Sequence, residues 1–213
     1  MPVTALIDYG SGNLRSAEKA LRRAAQTLGG GHEIVTTSDA DIVAAADRVV
    51  LPGVGAFAAS MGALGQRDGL IEAMGEAVMT RGAPFLGVCV GMQLLAARGL
   101  EFGETRGLGW IGGDVKRLEP TGPGVKVPHM GWNDIRLEAP SALLGEAAAP
   151  QYYFTHSFAF HPDDQTTVTA SVENGERFTA AVELNNIAGV QFHPEKSQAE
   201  GLAFMGRFLE WRP

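Results

Sequence analysis

Through the first half of the chain, short apolar runs alternate with segments of helical periodicity. Residues 4–8, 33–37, 48–51 and the stretch that closes at Cys89 read as strands. Between them, residues 14–25, 56–64 and 69–80 repeat apolar positions at helical spacing. Strands that are apolar on both faces and separated by helices predict an α/β fold with a doubly wound, mostly parallel sheet. From Gly107 the pattern changes to β-like runs at 114–118, 151–160, 166–172, 178–184 and 187–192. Asn185-Asn186 between the last two is a tight hairpin signal. These runs predict an antiparallel β extension, and a helix over 199–211 closes the chain. No repeat, low-complexity tract or linker interrupts the pattern, so residues 1–213 are expected to form a single domain. Prolines and alanines leave element boundaries undefined between Pro120 and Pro150.

In such a sheet, function is expected beyond the C-terminal ends of the strands. The only cysteine lies there, in Gly87-Val88-Cys89-Val90-Gly91. An apolar stretch over 83–88 precedes it and a helical pattern over 92–97 follows, the strand–turn–helix context of a nucleophile elbow. The flanking glycines let strand and helix close around a strained residue, and the turn sets the sulfur at the positive end of a helix. A strand pattern over 187–192 leads into His193-Pro194-Glu195. If the extended backbone continues through Pro194, His193 and Glu195 project to one side, where the carboxylate can hold the imidazole tautomer. A lone cysteine is more often a buried hydrophobe, and a lone histidine more often structural. The two motifs together favour a Cys89-His193-Glu195 triad. Pro52-Gly53-Val54-Gly55 would be a plain turn in isolation. Beside a thiol nucleophile, Gly53 and Val54 can aim backbone N–H at an oxyanion, with the Val90 N–H as second donor. Gly10-Ser11-Gly12-Asn13 lacks the third glycine of a dinucleotide fingerprint and reads as a helix cap or surface contact.

Composition narrows the classes. Hydrophobic residues make up 45% and charged residues 19% of the 213, which suits a folded protein with a full core. A net charge of -7 with no basic cluster argues against nucleic acid or a membrane surface as partner. One cysteine excludes an internal disulfide and a cysteine-rich zinc site. No metal or cofactor is required by these motifs. The most apolar stretch, 85–97, is too short to span a bilayer, and no leader pattern precedes the first strand, so a cytosolic location is expected.

The motifs around Cys89, Gly53 and His193 resemble the three signatures of class I (triad) glutamine amidotransferases. Further segments, Ile7-Asp8-Tyr9-Gly10-Ser11-Gly12-Asn13-Leu14, Pro128-His129-Met130-Gly131-Trp132-Asn133 and Lys196-Ser197, are similar to those of the glutaminase subunits of imidazole glycerol phosphate synthases. The resemblance runs along essentially the whole chain and implies a flavodoxin-like fold. It implies hydrolysis of L-glutamine and transfer of ammonia to a (β/α)₈-barrel cyclase subunit in a heterodimer. Under it, Gly53, Gly55, Gln93, Glu101 and Ser157 match glutamine-pocket positions. Asn13, Met130, Trp132, Tyr153 and Lys196 match positions that face the cyclase. Phe158 stands where relatives often carry tyrosine, which matters only if that position acts through a hydroxyl rather than its backbone. Rival readings are the glutaminase of another synthase, such as anthranilate synthase, a stand-alone cysteine hydrolase, and a non-catalytic binding module. The first two keep the triad, while the third leaves it without a use.

Overall fold

The computed structural model describes residues 1–122, 124–145 and 150–213. Its strands are β1 (Val3–Ile7), β2 (Glu33–Thr37), β3 (Arg48–Gly53), β4 (Phe85–Cys89), β5 (Arg98–Gly99), β6 (Thr105–Arg106) and β7 (Gly113–Arg117). They continue as β8 (His129–Asp134), β9 (Arg136–Leu137), β10 (Gln151–His156), β11 (Phe158–Pro162), β12 (Val168–Glu173), β13 (Arg177–Leu184) and β14 (Ile187–Val190). The helices are α1 (Leu14–Thr27), α2 (Ala40–Ala45), α3 (Phe57–Gly65), α4 (Leu70–Gly75), α5 (Val90–Gln93) and α6 (Gln198–Glu210).

An eight-stranded sheet in the order β2-β1-β3-β4-β14-β13-β12-β9 forms the backbone of the fold. Its members from β2 to β14 run parallel, and β13, β12 and β9 add antiparallel strands at one side. A smaller sheet, β11-β7-β5-β6, and the β10-β8 pair stand beside it. The parallel strands bury side chains on both faces: β3 and β4 are buried at every position. Leu6, Val49, Phe85 and Leu86 are fully enclosed. Helix α1 buries Ala17, Leu21, Ala24 and Ala25, the single stripe its periodicity predicts. It packs on α6, while α2 packs on α4.

Four local departures from expectation have physical causes. The helix after Cys89 begins at Val90 and stops at Gln93. Leu95, Ala96 and Ala97 are turn and bend residues whose carbonyls accept the Ile111, Gly109 and Gly107 N–H groups, while Ala97 N–H donates to Gly113 O of β7. The run 151–160 breaks at Ser157, sending β10 and β11 to different sheets. The expected extended backbone through Pro194 is instead a 3₁₀ turn, Pro194–Lys196. Helix α2 follows no apolar stripe: Asp39 initiates it by accepting the Asp41 and Ile42 N–H groups. The Asn185-Asn186 hairpin forms as expected, with Leu184 opposite Ile187 and Asn185 at φ 53°. Among the described residues, no helix is long and apolar enough to cross a membrane.

Candidate active site

Cys89 ends β4 at the centre of the parallel sheet, between β3 and β14. Its backbone is forced into φ 54°, ψ -109°, a region that costs of order 1–3 kcal/mol for a residue with a side chain. Close packing imposes that strain. A Cβ on Gly91 would sit 1.9 Å from Leu51 O, and one on Gly87 would sit 2.5 Å from Gly91 O. Only glycines let the elbow fold back against β3 so closely. Gly53 completes the arrangement, since a Cβ there would lie 2.5 Å from Gly91 N and 2.8 Å from Val90 Cβ.

Beyond β14, the chain brings His193 to the same cavity wall as Cys89. The 3₁₀ turn brings Glu195 Oε1 to 2.8 Å from His193 Nδ1, so the contact arises from a turn and not from strand alternation. Both side chains are almost wholly buried, at 2% and 4% exposure. Nδ1 faces a carboxylate, so it carries a proton. Nε2 is buried without a hydrogen-bond partner among the described residues. Burial depresses the imidazole pKa, but Cys89 and Glu195 outweigh it and raise the pKa to about 9. The raised pKa favours the cationic ring, which Glu195 holds through Nδ1.

These groups open onto a cavity of about 390 Å³. Of the residues expected in the pocket, Gly55, Gln93, Glu101, Ser157 and Phe158 line it together with Val54, Cys89, Val90 and His193. Gly53 lies behind the wall, against Val90 and Gly91. Glu101 Oε2 accepts the Phe57 N–H at 2.8 Å, which fixes the carboxylate at the start of α3 and beside the cavity. At position 158 the backbone carbonyl makes two contacts: Phe158 O accepts Gln93 Nε2 at 2.8 Å and faces His156 Nδ1 at 2.9 Å. The frequent tyrosine hydroxyl has no part in these contacts.

The expected partner-facing residues divide. Met130 and Trp132 on β8 are 63% and 42% exposed, and Trp132 is opposite Tyr153 of β10, with ring centroids 6.1 Å apart. Lys196 Nζ stands 5.7 Å from the Tyr153 ring centroid, and Lys196 also lines the cavity. This puts Lys196 at the junction of cavity and surface. Asn13 precedes α1 without a capping side-chain bond, against the cap reading. Its loop instead leans on the glycine turn: Ser11 Oγ donates to Val54 O at 2.9 Å, and Tyr9 OH to Pro52 O at 2.8 Å.

Several residues not assigned to the pocket from sequence belong to it. Pro128, which opens the Pro128–Asn133 segment, lines the cavity with Thr155 and His156. His156 is held neutral because burial, with smaller contributions from His129 and His193, outweighs its bond to the Phe158 carbonyl and lowers its pKa to about 3. Gln191, fully buried, places Nε2 3.6 Å from Cys89 Sγ. Its place just before His193 in the chain was the only available hint. Among the described residues, no cluster of three or more His, Cys, Asp or Glu could hold a metal ion.

Comparison with known proteins fits this geometry. Residues 5–209 match the family pattern described as glutamine amidotransferase class-I. The chain is 58% identical to the imidazole glycerol phosphate synthase subunit HisH of Caulobacter vibrioides, with 100% of each chain covered. It is 54% identical to the HisH subunit of Rhodospirillum rubrum, over 98% of this chain and 99% of the relative. Among solved structures, a glutamine amidotransferase superposes with a TM-score of 0.70 at 18% identity, covering 97% of both chains. A glutamine amidotransferase from Thermotoga maritima superposes with a TM-score of 0.58 at 16% identity, covering 91% of this chain and 76% of the other. At those identities, the structural likeness speaks for the fold alone.

Proposed function

The chain belongs to the class-I glutamine amidotransferases, and on that footing we propose that it is the glutaminase subunit of an imidazole glycerol phosphate synthase. The reading rests above all on one observation: a strained cysteine and His193, itself backed by the buried Glu195, share a cavity walled by Gln93, Glu101 and Ser157. A primary carboxamide is a poor electrophile with a poor leaving group, so its cleavage needs a strong nucleophile, an oxyanion site and an acid.

Each need has an assigned group. The Cys89 thiolate attacks the side-chain carboxamide carbon of L-glutamine, and the carbonyl electron pair moves to oxygen. The Val90 N–H and an N–H of the Gly53-Val54 turn receive that oxyanion. The tetrahedral adduct collapses as His193 gives its proton to nitrogen; the C–N bond breaks and ammonia leaves. Water then attacks the thioester and gives a proton to His193. The C–S bond breaks with its electron pair on sulfur, and glutamate departs. Glu195 holds the imidazole in place through both half-reactions without taking the proton itself. Gly55, Gln93, Glu101, Ser157 and the Phe158 backbone fix the substrate, with Glu101 suited to the α-ammonium group.

Ammonia is then passed to a (β/α)₈-barrel cyclase subunit, making the pair a heterodimeric lyase of histidine biosynthesis in the cytosol. Exposed Met130 and Trp132, with Tyr153, Lys196 and Asn13, are assigned to that interface. The whole chain acts as one glutaminase domain. Regulation is part of this reading: the Gly53-Val54 peptide switches between a resting and an oxyanion-binding orientation, and occupied partner favours the second.

The test uses the complex with the cyclase subunit. Cys89→Ala should abolish synthesis from glutamine yet leave synthesis from added ammonium salts. Substantial glutamine turnover by this variant would remove Cys89 from the nucleophile's role. Loss of the ammonium-driven reaction in an intact complex would place Cys89 outside the glutaminase step.

A further inference from the structure

Gln191 follows β14 and is wholly enclosed, with its own N–H donated to Ala180 O at 2.8 Å. Its side chain sits between two groups that matter to the reaction. Oε1 accepts from Gln93 Nε2 at 3.0 Å, and Nε2 lies 3.6 Å from Cys89 Sγ.

The orientation of this amide follows from the bonds around it. Phe158 O is a backbone carbonyl and can only accept, so Gln93 must present Nε2 to it. The second proton on that nitrogen then points to Gln191, which must answer with Oε1. Gln191 Nε2 is left facing sulfur. Flipping either amide would set nitrogen against nitrogen or oxygen against oxygen. A buried N–H aimed at a neutral thiol is poorly satisfied, whereas one aimed at a thiolate makes a charge-assisted bond.

We propose that Gln191 is a further functional donor of the site, a dedicated N–H that holds the Cys89 sulfur and receives negative charge there. The inference rests on the reading of Cys89 as the nucleophile. Gln191, whose N–H lies within hydrogen-bond distance of this sulfur, then fixes its direction toward the carboxamide carbon. The consequence differs between the half-reactions. In acylation, the sulfur gives up charge as the C–S bond forms, so the N–H mainly aligns it. In deacylation, the C–S bond breaks and its electron pair returns to sulfur, so charge grows in front of the Gln191 N–H. Deacylation is the step this donor accelerates, and its loss should let the glutamyl thioester accumulate.

Gln191→Glu keeps the acceptor for Gln93 and removes the N–H. Gln191→Met keeps the volume and removes both functions. Each variant is assembled with the cyclase subunit, with thermal melting and co-elution establishing an intact complex. It is then assayed with glutamine under steady-state conditions, and the acyl-enzyme trapped by acid quench is read by intact-mass spectrometry. The expected result is a kcat lower by about tenfold or more, equivalent to ~1.4 kcal/mol, with KM lowered alongside it and thioester accumulating above the wild-type level. Wild-type kcat and acyl-enzyme level in Gln191→Met would overturn the proposal. A fall in kcat with no accumulated thioester would also overturn it, because a merely structural defect behaves that way. Retained glutamine turnover in Cys89→Ala would instead bring down the underlying nucleophile reading.

Discussion

Replacing Gly53 by alanine adds a single methyl group at the most crowded junction of the site. That carbon would lie 2.5 Å from Gly91 N, 2.8 Å from Val90 Cβ and 2.9 Å from Val90 C. Ordinary contact starts at 3.4 Å, so the two backbones must part by about 0.9 Å, and neither is a flexible side-chain end that could give way. The two segments forced apart are those assigned to the oxyanion site, Val90 on one side and the Gly53-Val54 turn on the other. Overpacking of this kind costs about 1–3 kcal/mol in stability. Loss of one oxyanion donor costs ~2.7–4 kcal/mol in the transition state, on the order of 10²–10³ in kcat. Gly53→Ala should therefore remain folded with a lowered melting temperature and lose at least about a hundredfold in glutamine turnover. The assay is steady-state glutaminase activity in the cyclase complex, with ammonium-driven synthesis as the control for assembly. That control should stay near wild type because the methyl group sits behind the cavity. Wild-type kcat with glutamine would refute the argument, since the close approach of β3 to the elbow would then have no catalytic purpose.

Because His193 titrates at about 9 in the folded chain against 6.5 ordinarily, its contribution to stability is full below pH 6.5 and is lost as pH rises through about 9. Thermal melting against pH should show that loss, and Glu195→Gln should bring it to lower pH; an unchanged profile would contradict the assigned pair. The same titration removes the acid needed by departing ammonia, so kcat/KM should fall on the alkaline side near pH 9. Trp132→Ala should weaken association with the cyclase subunit by at least ~2 kcal/mol, roughly thirtyfold, as measured by titration calorimetry, and unaltered affinity would take this exposed ring out of the interface. Turnover of glutamine should rise from the chain alone, to the complex, to the complex with cyclase ligand, by about a hundredfold if the resting Gly53-Val54 turn withholds one donor. Equal rates in all three would reject the switch and favour a self-sufficient hydrolase.

Local chemistry in the chain was enough to place the parallel sheet, the elbow and the general position of the site. Strand periods, the glycines around Cys89 and the His193-Pro194-Glu195 triplet are short-range signals, because each reflects what a few consecutive residues require of their own backbone. The strand at 33–37 and the Asn185-Asn186 hairpin were legible for the same reason. The helix expected at 92–97 was not, since after Gln93 the carbonyls of its leucines and alanines accept N–H groups from residues 107–111 instead of continuing the helix. Nor was the break at Ser157, where an unbroken β-rich run divides because β10 finds β8 and β11 finds β7.

What tertiary structure alone decided are contacts between residues far apart in sequence. The steric demand for Gly53 comes from Val90 and Gly91, and that for Gly91 from Leu51. The turn that joins His193 to Glu195 replaced the strand geometry expected of them, although the contact itself survived. The orientation of Gln191 depends on Gln93, 98 positions away, which depends in turn on Phe158 O, 65 positions from Gln93. A sequence pattern records the local preferences of a residue but not the direction of its hydrogen bonds. That direction exists only once packing has removed water and left each buried donor a single acceptor to meet.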